Sequence, residues 1–401
     1  MKTLLLTPFA SRTMPIAEWL GPDVGRDVVL VAPANVAGDY TEWAAKVVPI
    51  ERYAPFGEVD CVALRLAREH RVERVVAIGE CDILRAAQLR RMLDLPGQSV
   101  ESALAFRDKG VMKQIVGAAG IAVPEHIVAT SPLDVIAFVE RVGLPVVGKP
   151  FAGQASIGTI ILRERTEVEA VLGIQPEIRG LVEKFVPGDM FHVDGFVHHG
   201  EAVLVSPSRY VNGMLAFQEG KHCLSVQLDA AHPQHARLVA FARSVLAAMP
   251  LPEATPFHLE VFHTPDDRLV FCEIASRVAG IRIGDAITQS FGFNLAKTWL
   301  EFQLGLRTHV EPPPPRKKAA GTAVVPPETG RLDAFPRTLE APGVVDVHVE
   351  FKEGDVLKGA DSSAAALAVI LAEGEAEAQV VARLEDAVAA FREGCRYSAT
   401  E

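Results

Sequence analysis

The stretch FHLEVFHTPDDRLVFCEIASR (257–277) sets one glutamate into each of two apolar runs, Glu260 and Glu273, around a single strong turn signal, Pro265-Asp266-Asp267-Arg268. It reads as a hairpin. With Asp266-Asp267 as a two-residue loop, Thr264 faces Leu269, Phe262 faces Phe271 and Glu260 faces Glu273. Facing residues have Cβ atoms about 5 Å apart. Two ionised carboxylates at that range repel by roughly 3 kcal/mol at an effective dielectric of about 20. A proton, an intervening arginine or a bridging cation relieves this. The plainer reading puts both glutamates near strand ends, in reach of water. The hairpin alone leaves these readings open.

Outward from the hairpin, the 401-residue chain is long enough for two or three domains. Its residues are 49% hydrophobic and 23% charged, an ordinary globular balance. The net charge of −11 argues against nucleic acid or an anionic membrane as partner. Cys61, Cys81, Cys223, Cys272 and Cys395 are scattered, odd in number and free of Cys-x-x-Cys spacing. They read as reduced, mostly buried thiols of a cytoplasmic protein. MKTLLLTPFASR (1–12) has too short an apolar core for a signal peptide, and no apolar run is long enough to span a bilayer.

Residues 1–107 alternate strand and helix signals. KTLLLTP, RDVVLVAPA, KVVPIE and RVVAIGE are short apolar runs, and DCVALRLAREHRV has helical periodicity. The pattern predicts a parallel sheet with crossover helices. No Gly-x-Gly-x-x-Gly follows the first run, which argues against a dinucleotide site. From 108 the texture changes. DKGVMKQIVGAAG predicts a helix capped by Asp108, with Val111, Met112, Ile115 and Val116 as its apolar stripe and Gly120 as its stop. Strands dominate from LPVVGKP to about 228. A helix follows near 233–248, then the hairpin, then a helix in NLAKTWLEFQLG. EPPPPRKK (311–318) is a proline-rich joint, and an α+β tail ends in the helical EAEAQVVARLEDAVAAFREG.

Four features bear on chemistry. Lys109 and Lys113 lie four apart on one helical face, where a solvated pair is the commoner case. Lys149 ends an apolar strand and needs an anion or a route to water. The loop after it, FAGQASIG, offers Gly153, Ala155, Ser156 and Gly158, small residues that let backbone N–H groups close on phosphate oxygens. An ordinary turn would look similar. In LVEKFVPGD, Glu183 followed by an apolar edge suits an adenine amino group, and an edge-strand glutamate looks the same. The glutamate pair is followed by Arg277, a counter-ion or an oxyanion binder. In this order the features lay out a nucleotide cleft between two lobes.

The ordered set resembles the ATP-grasp superfamily of carboxylate–amine ligases, and most of all the L-amino acid ligases, which make dipeptides. The likeness runs from about 90 to 401. It is carried by LDLPGQSVESALAFRDKGVMKQIVGAAGIAVPEH, LPVVGKPFAGQASIG, LVEKFVPGDMFHVDGFV, the hairpin with RVAGIRIGDAI, and the tail AAGTAVVPPETGRL. The resemblance implies an α/β fold, α+β overall: an N-terminal parallel α/β domain at 1–107, a two-lobed ATP-grasp domain at 108–308 with its lid at about 120–187, and a small C-terminal α+β cap at 309–401. It implies ATP with Mg²⁺, or Mn²⁺ in its place, small-molecule carboxylate and amine substrates, and often a homodimer. An acyl phosphate forms, and an amine displaces its phosphate.

By position, Lys109 or Lys113, Lys149 and the loop with Gly153 and Ser156 would hold phosphates. Glu183 and the backbone of Lys184, Phe185 and Val186 would hold adenine. Glu260 and Glu273 would bind metal, and Arg277 would stabilise the acyl phosphate and the tetrahedral adduct. Two positions depart from the family pattern. Met190 stands where a ribose-binding glutamate is common, leaving Asp189 or His192 to substitute. Ala275 stands where an asparagine often ligates a second metal. Ser206, Arg209 and Lys221, in SPSRYVNGMLAFQEGKHC (206–223), are candidate substrate contacts. The histidines His192, His198, His199, His222, His232 and His235 as a group lack zinc spacing and read as strand and loop residues. Two competing readings are a carboxylase-like or nucleotide-pathway ATP-grasp enzyme, and a non-catalytic ATP sensor, the latter favoured by Met190 and Ala275.

Overall fold

A computed structural model describes residues 2–54, 57–174 and 180–399. Residues 175–179 of the expected lid and the extreme ends of the expected outer domains lie outside the described residues. At the N-terminus, strands Lys46–Ile50, Val28–Pro33, Thr3–Leu6 and Arg74–Ala77 form a four-stranded sheet in that order. All its pairings are parallel, as the alternating runs predict. Its residues Leu4, Leu6, Val29 and Val31 are buried with Val59, Ala63 and Leu66 of helix Glu58–Glu69. Continuous apolar runs are what a sheet covered on both faces requires.

A second four-stranded sheet, antiparallel, runs His126–Ala129, Gly180–Lys184, Val146–Lys149, Ile160–Leu162. Helices Pro132–Val142 and Arg165–Ile174 cover one face through Val135, Phe138 and Val168. The other face is left to line a cleft. Helix Pro132–Val142 starts at a capping box, with Ser131 and Asp134 exchanging hydrogen bonds.

The largest sheet has eight strands, all antiparallel. Its order is Leu269–Ala275, Ala254–His263, Asp189–His198, Glu201–Val211, Cys223–Gln227, Ala319–Val325, Ala368–Gly374, Val344–Val349. It therefore joins strands from both sides of the proline-rich segment, and strand Cys223–Gln227 pairs directly with Ala319–Val325. Helix Lys109–Ala118 packs on this sheet with helix His235–Ala248. Asp108 caps the former, accepting from the N–H groups of Gly110 and Val111. Helix Leu295–Gln303 ties the sheet to the N-terminal domain. There the Gln303 amide donates to Ala77 O at 3.1 Å and accepts from Ala77 N at 3.3 Å.

The cysteines are all free thiols, but burial is not their rule. Cys272 is buried, Cys81, Cys223 and Cys395 are half-buried, and Cys61 is exposed. Cys61 lies on the outer side of helix Glu58–Glu69, and composition alone carries no information on that facing. Among the described residues no helix is long and apolar enough to cross a membrane.

Candidate functional site

The hairpin brings Glu260 opposite Glu273, but not by the expected route. The tip is a three-residue loop: Thr264 N–H donates to Arg268 O at 2.9 Å, and Asp267 takes φ = 60°. Asp-Asp lacks the glycine that a tight two-residue turn favours, so the chain uses a longer loop with one left-handed residue. The pairs near the tip are consequently Phe262–Val270 and Val261–Phe271, not Phe262–Phe271, and Thr264 does not pair with Leu269. A β-bulge then leaves Cys272 unpaired and restores Glu260 to Glu273. It also sends Cys272 and Glu273 to the same side. Ligand atoms of Glu260, Cys272 and Glu273 all lie within 4.8 Å of one another. The pair does not end in open water, since both line a cavity of about 610 Å³ between the sheets.

A lysine relieves the expected repulsion. Lys109 Nζ sits 2.9 Å from Glu273 and donates to Gly153 O at 3.1 Å. Burial alone would raise the Glu273 pKa, but Lys109 and Lys149 pull it down to about 2. Glu260 accepts from Tyr210 OH at 3.3 Å, and His258 Nε2 lies 3.6 Å away. Burial pushes the Cys272 thiol up to about 12, so it stays protonated at neutral pH. The donors facing the cavity are thus two carboxylates, the hard oxygen set that suits Mg²⁺ or Mn²⁺. Ala275 is buried and supplies no ligand atom.

Lys149 lines the same cavity, and its ammonium is paired with Glu183. Burial works against its charge, but the carboxylates of Glu183 and Glu273 outweigh it and hold its pKa above the ordinary lysine value. Lys113 is 1% exposed, 3.1 Å from Glu183, and donates to Cys272 O at 2.6 Å. It stands behind the cavity wall, which corrects the expectation that it could meet phosphate. Glu183 also departs from expectation. At 2% exposure its carboxylate is clamped between Lys113 and Lys149 rather than held out to a base. Burial would raise its pKa, and the two ammonium groups lower it instead.

The hinge residues Lys184, Phe185 and Val186 line the cavity. Lys184 N–H donates to Glu125 O at 2.8 Å and Phe185 N–H to Pro145 O at 3.1 Å. Those two donors are already committed. In the loop after Lys149, Ala155 (φ 52°), Ser156 (φ 58°) and Gly158 (φ 72°) are left-handed, and Gly153 and Ser156 line the cavity. Consecutive left-handed residues turn the backbone sharply here. Ser363 N–H, from the tail, donates to Ala155 O at 3.1 Å.

Arg277 is half-buried on the cavity wall and lies 2.7 Å from Glu80. Glu80 also pairs with Arg107, whose guanidinium donates to Ala152 O at 2.6 Å. Burial would raise the Glu80 pKa, but Arg277 and Arg107 lower it. The reading of the sequence missed Glu80 and Arg107. The available signal was a carboxylate just past the C-terminal end of a parallel strand, where open α/β sheets put their ligands.

Other candidates are not brought to the cavity. Met190 lines it, whereas Asp189 is exposed and not among its lining residues. His192 is fully buried, with Nδ1 2.5 Å from Asp194 and Nε2 2.8 Å from Ser225. It cannot reach a ribose. Asp194 also holds His258 Nδ1 at 2.8 Å. Burial would depress the His258 pKa, but Asp194 raises it to about 9. Ser206 is buried away from the cavity, Arg209 pairs with Glu377 at 2.5 Å, and exposed Lys221 pairs with Glu219 at 2.6 Å. The contacts that segment gives the cavity are Tyr210, Met214 and Leu215.

Comparison with known proteins agrees with this geometry. Residues 142–285 match a family model for the ATP-grasp domain, and residues 323–392 match one for the L-amino acid ligase C-terminal domain 2. An L-arginine-specific L-amino acid ligase of Bacillus subtilis is 27% identical over 347 residues, covering 82% of each chain. The crystal structure of an L-amino acid ligase from Bacillus licheniformis superposes with a TM-score of 0.77 at 16% identity, over 100% of this chain and 99% of that one. The biotin carboxylase domain of Hydrogenobacter thermophilus 2-oxoglutarate carboxylase, in complex with MgADP, does so at 0.69 and 13%, over 100% and 91%. A lysine and glycine loop facing paired carboxylates across a two-lobed cleft define an ATP-dependent ligase class. The chain carries an ATP-grasp domain together with an L-amino acid ligase C-terminal domain. Its reaction is the ADP-forming ligation of a carboxylate to an amine.

Proposed function

We propose that the activated carboxylate is that of an amino acid and that the product is a dipeptide or a related amide. The observation that carries this is one cavity in which Lys149 faces Glu260 and Glu273, with Arg277 beside them. Lys149, Lys109 and the loop with Gly153 and Ser156 hold the phosphates. Lys184, Phe185 and Val186 form the adenine wall, with the committed N–H groups of Lys184 and Phe185 leaving the Val186 N–H as the hinge donor. Glu260 and Glu273 are the residues that would hold Mg²⁺, which when bound neutralises the β and γ oxygens.

The carboxylate oxygen of the substrate forms a bond to the γ-phosphorus as the bond from that phosphorus to the β-bridging oxygen breaks, and ADP leaves. The amine nitrogen then attacks the acyl carbon, and phosphate departs with the C–O electron pair as the nitrogen loses a proton. Arg277, oriented by Glu80, neutralises the charge that develops on the acyl phosphate and on the tetrahedral adduct. We also propose that the ATP-grasp unit spans 108–308, flanked by units at 1–107 and 309–401. The assembly we propose is a homodimer, checked by light scattering; the carboxylase-domain neighbour is described as a dimer.

The test is ADP release with Mg²⁺ and pooled amino acids. Amino-acid-dependent ADP and phosphate are expected. Nucleotide binding with no turnover on any amino acid would instead favour the sensor. A carboxylase-like activity is supported by likeness of fold alone.

A further inference from the structure

The cavity is larger than its nucleotide end. The lid sheet and hinge build one part, and the N-terminal domain builds another. Pro8 and Phe9, just past strand Thr3–Leu6, with Met14 and Trp19 beyond them, face the cavity, joined by Val278 and Ile283 from after the metal segment. Phe9, Met14 and Trp19 pack against the interdomain core while keeping part of their surface towards the cavity. The wall is held in place. Fully buried Tyr40 donates its hydroxyl to Phe9 O at 2.7 Å, and Ser11 N–H donates to Asp39 at 2.8 Å.

The charged groups lining this end are already matched. Glu80 is shared by Arg107 and Arg277, and Arg282 is held by Asp285 and Asp346. Tyr53 OH donates to Asp82 at 2.9 Å. Along the wall of Phe9, Met14 and Trp19, among the described residues, no unpaired carboxylate lines the cavity to neutralise a cationic side chain. An ionic side chain buried there would lose its hydration without gaining a partner.

Resting on the ligase reading above, we propose that the carboxylate donor carries an apolar side chain, aliphatic or aromatic, seated on the wall of Phe9, Met14 and Trp19. The carboxyl sits at Arg277. Because Arg277 is joined to the N-terminal domain through Glu80, the donor's side chain extends onto that domain's surface.

Hydroxylamine isolates donor choice from amine choice, since its nitrogen displaces phosphate from the acyl phosphate and leaves a hydroxamate. The full chain with ATP and Mg²⁺ is offered leucine, methionine or phenylalanine against aspartate, glutamate, lysine or arginine. The apolar donors should exceed the charged ones in kcat/KM by about tenfold or more. Met14→Asp should cut turnover of apolar donors by a similar factor while nucleotide binding and the melting temperature stay near the parent values. Met14→Ala should shift preference towards bulkier apolar donors. Charged donors equal to apolar ones, or Met14→Asp within twofold of the parent on leucine, overturns the proposal and leaves the ligase reading standing. No hydroxamate from any donor, with ATP still bound, overturns both.

Discussion

Replacing Glu183 by glutamine tests what its burial implies. The carboxylate is 2% exposed and lies 3.1 Å from Lys113 Nζ, with Lys149 on its other oxygen. At an effective dielectric of about 20, a unit pair at that distance is worth about 5 kcal/mol. Removing one partner of a buried pair typically costs about 3–5 kcal/mol, because the other charge stays buried and uncompensated. Here two ammonium groups are left, so Glu183→Gln is expected to destabilise the apoprotein by about 4 kcal/mol. That amounts to a fall in melting temperature on the order of 10 °C, at roughly 2–4 °C per kcal/mol for domains of this size.

ATP brings its own negative charge to Lys149, so it should raise the variant's melting temperature more than the parent's. The pH dependence has a definite sign. The folded Glu183 pKa is lowered from 4.5, so its stabilisation is present above 4.5 and is lost as the pH falls through the lower folded value. The variant should lack that acid sensitivity. If Glu183→Gln melts within 2 °C of the parent but exchanges ATP preference for another base, the carboxylate reads the nucleobase and the ion-pair account fails.

Three further changes probe the rest of the site. Glu273→Gln keeps an acceptor for Lys109 but loses a charge, and should lower metal-dependent ADP release by about 10²-fold or more; parent-rate release in Mg²⁺ would remove the metal assignment. Arg277→Ala should retain ATP binding, measured by titration, yet lose about 10²–10³ in amide formation, and unchanged ligation would move the oxyanion role elsewhere. His258 is held protonated to about 9 against an ordinary 6.5, so its stabilising pairing with Asp194 is complete below 6.5 and is lost as the pH rises through about 9. Asp194→Asn should flatten the melting profile across that interval, and an undiminished slope would show that another group titrates there.

Much of the architecture was legible because its signals are local. The parallel N-terminal sheet follows from apolar runs spaced by a helical pattern, and helix Lys109–Ala118 from Asp108 and its apolar stripe. The facing of Glu260 and Glu273 was legible for a less secure reason. A tip one residue longer than expected and a bulge at Cys272 shift the register in opposite directions and cancel. What escaped was long-range. Glu80 meets Arg277 across 197 positions, and Lys113 meets Glu183 through packing of a helix under the lid sheet. Spacing on one element carries no information about such partners. His192 lies on the same face of the sheet as Glu260, its cross-strand partner, yet Tyr210 covers its ring and Asp194 and Ser225 take both of its nitrogens.

The continuity of the eight-stranded sheet has a practical consequence. Made as two separate pieces divided at the proline-rich segment, the chain would hold strand Cys223–Gln227 apart from Ala319–Val325 and leave each piece with a naked ladder of amide and carbonyl groups. Such halves should not behave as independent modules. Expressed together they should find each other and regain the enzyme, whereas each alone should tend to self-associate along its open edge.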